Sequence, residues 1–414
     1  MSVYQYQGGE LHVEGAALAG IAAQFGTPCY VYSRAALTQA YVAFDSAFKN
    51  REHLVCYAVK ANSNLAVLDL FARLGSGFDI VSVGELQRVL AAGGDARKVV
   101  FSGVGKSESE IRAALQAGIL CFNVESESEL TRLDRIAGEL GMRAPVSLRV
   151  NPDVDAGTHP YIATGLRQNK FGIPYAQALA LYRKAKALAH ARIEGIDCHI
   201  GSQLTDIGPI VAALEKIADL VDQLEGEGIV LSHIDVGGGL GIRYEEESPP
   251  TMDEYARAVL DAFVRRPHKL LFEPGRLLTG NAGLLLTRVE YVKRGEDRNF
   301  AIVDAAMNDL LRPALYEAWH EVLPVRQSGE PDTYDIVGPV CETGDFLARG
   351  RRTALNEGEL LAIMSAGAYG MSMASNYNSR PRAAEVMVDG ETPYLIRERE
   401  EFPDLIAREH RLPS

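Results

Sequence analysis

The sequence predicts an α/β fold, a closed (β/α)8, TIM-like barrel with a second, mainly β domain after it. Three observations predict it. Short apolar runs alternate with helix-patterned segments, the texture changes near residue 276 to closely spaced strands, and the residues able to do chemistry follow the ends of the runs. At 414 residues the chain has room for two or three domains.

The apolar runs are Leu54–Val59, Phe78–Val81, Val99–Phe101, Leu120–Val124, Val146–Val150, Ile193–Ile200, Ile229–Val236 and Leu270–Phe272, eight in all. They are rich in β-branched and aromatic residues and have the length of buried strands. Ser107-Glu108-Ser109-Glu110 reads as a capping box ahead of Ile111, Ala114 and Leu115, with Gly118 as the stop. Ser126-Glu127-Ser128-Glu129 reads as a second capping box ahead of Leu130, Leu133 and Ala137, stopped by Gly141. Ile210, Leu214, Ile217, Val221 and Leu224 recur at intervals of three and four, the stripe of an amphipathic helix. An open doubly wound sheet satisfies the same periodicity, so the placement of the chemical residues decides for the barrel. Beyond residue 276, Leu284–Val292, Phe300–Asp304, Tyr334–Val337, Leu360–Ile363, Val386–Val388 and Tyr394–Ile396 read as strands between Gly, Pro and polar breaks. Leu11–Val13 and Cys29–Tyr32 are spare to the barrel and are expected to pair with that β domain. The expected organisation is residues 1–32 joining the β domain, 33–275 as the barrel and 276–414 as the β domain.

Composition narrows the function. Hydrophobic residues make up 47% and charged residues 23%, as in an ordinary globular protein, and the net charge is −13. Such a field repels polyanions, so no nucleic-acid partner is expected. Ala16–Ala23 is too short to cross a bilayer, and the first residues lack a basic segment followed by an apolar one, so neither membrane nor export is expected. Five scattered cysteines without a CxxC pair argue against disulfides or zinc and for the cytoplasm.

Lys60 ends the first run in Tyr57-Ala58-Val59-Lys60-Ala61-Asn62. Alone it reads as a solvated charge; desolvated at a strand end, it is an amine fit to condense with a carbonyl cofactor. His199, closing the sixth run, alone reads as a hydrogen-bonded core residue. Asp235-Val236-Gly237-Gly238-Gly239-Leu240-Gly241 follows the seventh run, and serves equally as a tight turn or as a backbone cradle for phosphate. Ile242 stands where a dinucleotide fingerprint needs glycine. Glu273, in Glu273-Pro274-Gly275-Arg276, ends the eighth run, where a buried carboxylate needs a cationic partner. All of these lie at C-terminal strand ends, the face on which barrel active sites assemble. An amine, a phosphate cradle and an acid for a protonated ring nitrogen together describe a pyridoxal phosphate site. Gly103-Val104-Gly105-Lys106-Ser107 imitates a P-loop but has Val100 where glycine is required. Asp153, Asp155 and His159 flank prolines without ligand spacing, so no metal is expected.

Further segments join these: Phe78-Asp79, Asn151-Pro152, Lys170-Phe171-Gly172, Arg312-Pro313-Ala314-Leu315-Tyr316, Gly338-Pro339-Val340-Cys341-Glu342-Thr343-Gly344-Asp345 and Gly367-Ala368-Tyr369-Gly370. With them the chain resembles, nearly end to end, the fold-type III pyridoxal phosphate-dependent decarboxylases, and among them those acting on meso-2,6-diaminopimelate. The resemblance implies the alanine racemase-like two-domain fold and release of CO2 from meso-diaminopimelate to give L-lysine, the last step of lysine biosynthesis. It implies that Lys60 binds the cofactor covalently, that His199 stacks on its ring, and that Glu273 pairs with the ring nitrogen and keeps it protonated. Asp79, Pro274 and Gly275 belong to the same cofactor-binding motifs, and Gly238, Gly239, Ser202, Arg276 and Tyr369 surround the phosphate. Arg276 and Arg312, with Tyr316 and Tyr369, hold the substrate's distal carboxylate, which a guanidinium grips bidentately. Glu342 takes the distal ammonium. Cys341 protonates the carbon after CO2 leaves, supplied across the interface of a homodimer with shared active sites. Read alone, Cys341 is a small hydrophobe and Arg312 a surface charge. Thr343 departs from the family's common serine.

Other readings remain. A decarboxylase of ornithine, lysine, arginine or carboxynorspermidine is disfavoured by Glu342, where ornithine-type relatives usually carry aspartate, and by a pair of arginines that would repel a lone distal amine. A non-enzymatic pyridoxal phosphate carrier resembles the barrel without the β domain that carries Cys341 and Arg312. Alanine racemase shares the architecture but not the Glu-Pro-Gly-Arg and Cys-Glu segments.

Overall fold

A computed structural model of the chain describes residues 3–155, 169–327 and 329–413; His159 lies outside them. Eight parallel strands follow the eight runs: β1 (His53–Ala58), β2 (Gly77–Ile80), β3 (Val99–Phe101), β4 (Cys121–Val124), β5 (Ala144–Asn151), β6 (Ala191–Asp197), β7 (His233–Asp235) and β8 (Lys269–Phe272). They pair in sequence order, and Leu270 and Leu271 of β8 register with His53 and Leu54 of β1, so the sheet closes. Closure removes the doubly wound alternative.

Several strands end before their apolar runs do. β1 stops at Ala58, β6 at Asp197 and β7 at Asp235. Lys60, His199 and the glycine turn therefore lie just past strand ends, where the backbone leaves the ladder and side chains reach the barrel mouth.

The helices between strands present the anticipated stripes. Ile210, Leu214, Ile217, Val221 and Leu224 are all buried on the helix Ile207–Gly226. Each contributes ~1.5–3 kcal/mol by leaving water. At Glu108–Ala117 the reciprocal Ser107–Glu110 box forms, and Gly118 closes the helix at φ 70°. The second box forms only by half. Ser126 Oγ accepts the Glu129 N–H at 3.2 Å, but the Glu129 carboxylate turns inward, taking Lys106 Nζ at 2.7 Å and the Glu125 N–H at 2.9 Å. A buried ammonium needs a counter-charge more than an exposed helix end needs a second cap. The same contacts consume the P-loop-like lysine, whose Nζ also donates to the carbonyls of Gly103 and Asn123, both at 2.8 Å.

Residues 40–243 and 247–278 form this barrel unit; residues 1–39, 244–246 and 279–414 form the second. Arg276 thus belongs to the barrel unit. The second unit's main sheet runs Phe346–Thr353, Asp332–Val337, Asn299–Val303, Gly283–Arg294, Cys29–Ser33, Ala384–Asp389, Thr392–Arg397. Cys29–Ser33 is inserted between Gly283–Arg294 and Ala384–Asp389. Glu10–Val13 pairs with Tyr4–Gln7 and Ala16–Ala17 in a three-stranded sheet, and meets the later β segments of the same unit through the Leu11 N–H, which donates to the Val325 carbonyl at 2.8 Å, and an antiparallel bridge between Glu10 and Arg326. Strands Val322–Pro324 and Phe346–Thr353 carry little strand signal. Phe346–Thr353 is a charged edge strand with Gly350 within it, and pairing with Asp332–Val337 outweighs its weak propensity.

Candidate active site

Lys60 lies in a 3₁₀ turn, Val59–Ala61, directly after β1. Ala58 is in register with Asp79 of β2, and Lys60 Nζ donates to Asp79 Oδ2 at 2.5 Å. Asp79 is fully buried, and no donor among the described residues reaches its Oδ1.

Glu273 follows β8, and its Oε1 accepts from Asn123 Nδ2 of β4 at 3.0 Å and from Ser102 Oγ, beyond β3, at 3.4 Å. Burial first, then the charges of Asp235, Asp79 and Asp197, push its carboxyl well above the usual carboxylate range, against a smaller pull from Lys60. Asp197 ends β6 and Asp235 ends β7, and carboxyl oxygens of Asp197, Asp235 and Glu273 lie within 4.8 Å of one another. Burial is also the main cause that lifts Asp235 to about 7. The buried guanidinium of Arg149 approaches Asp197 at 3.9 Å and bonds Glu125 at 3.0 Å, with the Phe171 ring 5.0 Å away.

His199 Nδ1 accepts the Gly238 N–H at 3.1 Å, which places the ring's proton on Nε2. Burial, then the cations Arg149 and Lys60, hold the imidazole well below its usual pKa, so the ring is neutral. The Gly238 N–H is therefore engaged by the imidazole, where the phosphate-cradle expectation needs it free. Glycine is required in this turn by close approach of backbones. A Cβ at Gly238 would lie 2.1 Å from the Glu273 carbonyl, and one at Gly239, where φ is +109°, 2.2 Å from that of Gly201. The Pro274 carbonyl accepts the Ala58 N–H at 3.1 Å, and Gly275 packs against Ala58 and Ala61. The Arg276 guanidinium is buried and donates to Ser202 Oγ through Nε at 3.3 Å and Nη2 at 3.0 Å.

Lys60, Asp79, His199, Ser202, Gly238, Gly239 and Glu273–Arg276 thus stand on one barrel unit, at strand ends. Four buried carboxyl groups (Asp79, Asp197, Asp235 and Glu273) face the cations Lys60 and Arg149, and both Asp197 oxygens and Asp235 Oδ2 lack a donor among the described residues. This surplus of acid suits a flat heterocycle with a protonatable nitrogen, Lys60 offers a primary amine to an aldehyde, and Arg276 with Ser202 offers anion donors. The residues present fit pyridoxal phosphate. Arg149, Asn123, Asp197 and Asp235 were not among the sequence candidates. Their signal is a charged or amide side chain within or closing an otherwise apolar run, facing inward.

In the second unit, Arg312 opens the helix Arg312–Tyr316 and is buried. Its Nη1 donates to His320 Nε2 at 2.8 Å, and His320 Nδ1–H donates to the Met364 carbonyl at 2.8 Å. The guanidinium also lies 4.5 Å from the Tyr244 ring. Cys341 is exposed and its N–H donates to Asn378 Oδ1 at 2.7 Å. Glu342 Oε2 accepts the Tyr377 hydroxyl at 3.2 Å. Asn378 and Ser379 are held at φ 58° and 54°, backbone strain of the kind stored at functional loops. Tyr369, at φ 56°, sits in the Gly367–Gly370 turn, where a Cβ on Gly367 would meet the Thr279 carbonyl at 1.9 Å. Tyr244, His320 and Tyr377 join the predicted residues; as ordinary aromatic residues in loops they carry no local signal.

Residues 34–280 match the family described as pyridoxal-dependent decarboxylase, pyridoxal binding domain. Over 100% of both chains, the sequence is 60% identical to the diaminopimelate decarboxylase of Vibrio cholerae. Its structure is similar to that of Helicobacter pylori diaminopimelate decarboxylase complexed with L-lysine, with 44% identity, a TM-score of 0.92 and coverage of 95% of this chain and 99% of that one. It is similar likewise to the M. jannaschii enzyme in co-complex with L-lysine, with 38% identity, a TM-score of 0.95 and coverage of 100% and 99%.

Proposed function

Because the chain belongs to the pyridoxal-dependent decarboxylases, and within them to the diaminopimelate decarboxylases, we propose that its residues carry out the decarboxylation of meso-2,6-diaminopimelate to L-lysine and CO2, the last step of lysine biosynthesis. The observation that carries this reading is the Lys60–Asp79 pair and Glu273 on one barrel of a chain 60% identical, end to end, to a named diaminopimelate decarboxylase.

When bound, pyridoxal phosphate supplies an electron sink for the pair left by the broken carbon–carbon bond. Lys60 Nζ, steered by the Asp79 carboxylate, is the amine that fixes the cofactor's aldehyde end. Glu273 holds a proton at the ring nitrogen. His199 presents a neutral face, pinned by the Gly238 N–H, on which a flat ring can stack. Arg276 and Ser202 bind the phosphate, with Gly239 and Tyr369. Arg312, with Tyr316, grips the distal carboxylate of the substrate, its fork pre-oriented by His320 and Tyr244. Glu342 takes the distal ammonium. Cys341 Sγ–H gives its proton to the carbon that has lost CO2. By the resemblance that thiol comes from a partner subunit, so we read the enzyme as a homodimer. No described helix is long and apolar enough to cross a membrane, and all five cysteines are free, which supports a cytoplasmic site of action.

The test is CO2 release from purified protein across diaminopimelate isomers, lysine, ornithine and arginine. Release from the meso isomer and not from ornithine is expected; the reverse pattern overturns the reading.

A further inference from the structure

We propose that Asp235 is a positioning residue for this reaction: touching neither cofactor nor substrate, its buried carboxylate keeps a stored proton on Glu273, ready for the cofactor's ring nitrogen. The proposal rests on the pyridoxal phosphate reading above. Barrel closure brings the parts together. Asp197 and Asp235 are register partners on β6 and β7, and the Glu273 N–H bonds the Gly237 carbonyl at 2.8 Å. Oxygens of all three acids then fall within 4.8 Å of one another, at exposures of 1%, 0% and 6% for Asp197, Asp235 and Glu273.

Three dry carboxyl groups this close cannot all be ionised, so the cluster stores at least one proton. Its location follows from the donors. Asp235 Oδ1 accepts the Gly237 N–H at 2.9 Å at the start of the glycine turn, a contact that favours the anion there. Glu273 receives only neutral side-chain donors, Asn123 and Ser102. Asp197 has Arg149 at 3.9 Å. Side-chain hydrogen bonds from Asn123 and Glu273 also favour the Asp235 anion, against the opposing charge of Asp79; Cys56, Cys121 and Tyr255 complete its surroundings. A Glu273 carboxyl beside the Asp235 anion holds its proton more tightly, and burial first, then the Asp235 charge, push it well above the usual carboxylate range. Transfer breaks the Glu273 O–H bond and makes an N–H bond on the ring; no electrons are exchanged and no solvent proton is consumed. The fixed charge of Asp235 then favours the cation so formed.

The test compares cofactor-free wild type and Asp235→Asn for equilibrium affinity toward pyridoxal phosphate and toward its analogue with the ring nitrogen replaced by carbon, at pH 8. Asparagine keeps an acceptor for the Gly237 N–H and removes only the charge. The affinity ratio, natural cofactor over analogue, is expected to fall about tenfold, the equivalent of a tenfold weaker hold on the ring-nitrogen proton. A ratio within twofold of wild type overturns the proposal, whether both affinities hold or both fall, since a merely structural role moves both alike. Should Asp235→Asn not fold, Asp197→Asn removes a neighbouring acid and is read by the same ratio in the same direction. Wild-type protein that fails to bind pyridoxal phosphate overturns the decarboxylase reading together with this one.

Discussion

Replacing Lys60 with alanine separates the two things its amine does. The ammonium is Asp79's partner at 2.5 Å, Asp79 has no exposed side-chain surface, and Lys60 retains 35% of its own. Removing one member of a fully buried ion pair costs ~3–5 kcal/mol, because the survivor keeps its desolvation penalty. Solvent already screens the lysine, so the cost here is ~2–3 kcal/mol. In a domain of this size each kcal/mol moves the midpoint ~2–4 °C, so the Tm of cofactor-free Lys60→Ala falls by ~5–10 °C. Adding Asp79→Asn removes the stranded charge and recovers most of that loss. Turnover behaves differently: Lys60→Ala loses at least about a thousandfold, ~4 kcal/mol of barrier, and the double variant stays as low. Thermal unfolding by circular dichroism and CO2 release read the two effects separately. A Lys60→Ala protein with wild-type Tm, or a double variant no more stable than the single, refutes the buried-charge argument. A Lys60→Ala enzyme near wild-type turnover refutes the role of the amine.

Cys341→Ala removes the proton donor but nothing that holds the cofactor, so turnover falls ~10²–10⁴-fold with cofactor affinity unchanged; unaltered turnover in a steady-state assay removes the thiol from the reaction. Arg312→Lys keeps the charge and loses the fork, so kcat/KM for meso-diaminopimelate falls ~10–100-fold, the worth of a charge-assisted hydrogen bond. An unchanged value dissociates Arg312 from the distal carboxylate. Burial lifts Asp235 from 3.8 to about 7, so the folded chain holds a proton that the unfolded chain has released, and this group lowers stability as pH rises from about 4 to about 7. His233, lowered by burial to about 4, and His199, held by burial well below its usual value, act with the opposite sign over this range, so the wild-type curve alone cannot isolate the acid. The difference curve can. Cofactor-free Asp235→Asn is expected to match wild type near pH 4 and to exceed it by up to ~4 kcal/mol above pH 7 in urea unfolding, at ~1.4 kcal/mol for each tenfold difference in proton affinity between folded and unfolded chain. A difference flat with pH contradicts the burial of that charge.

Much of the barrel is legible because its signals are local. A run such as Val99–Phe101 is a strand wherever it packs, and Ser107 followed by Glu110 caps a helix from within one turn. The failures have tertiary causes. Glu129 has the spacing of a cap but spends its carboxylate on Lys106, and Phe346–Thr353 becomes a strand only because Asp332–Val337 lies beside it. In the site, Lys60, His199 and Glu273 stand out because strand ends are visible in the pattern. Arg149 and Asn123 do not, since an inward polar residue is indistinguishable by spacing from an outward one.

By itself the amino-acid order determined the kinds of chemistry present and the strand ends that carry them, for those depend on residue identity and on neighbours a few positions away. Only the closed barrel decided which groups share a proton. Asp197, Asp235 and Glu273 are far apart along the chain, and their oxygens meet within 4.8 Å because parallel pairing from β6 through β8 delivers all three to one dry end. Charge state is a property of that encounter, since burial and Coulomb repulsion act through space and leave no trace in spacing.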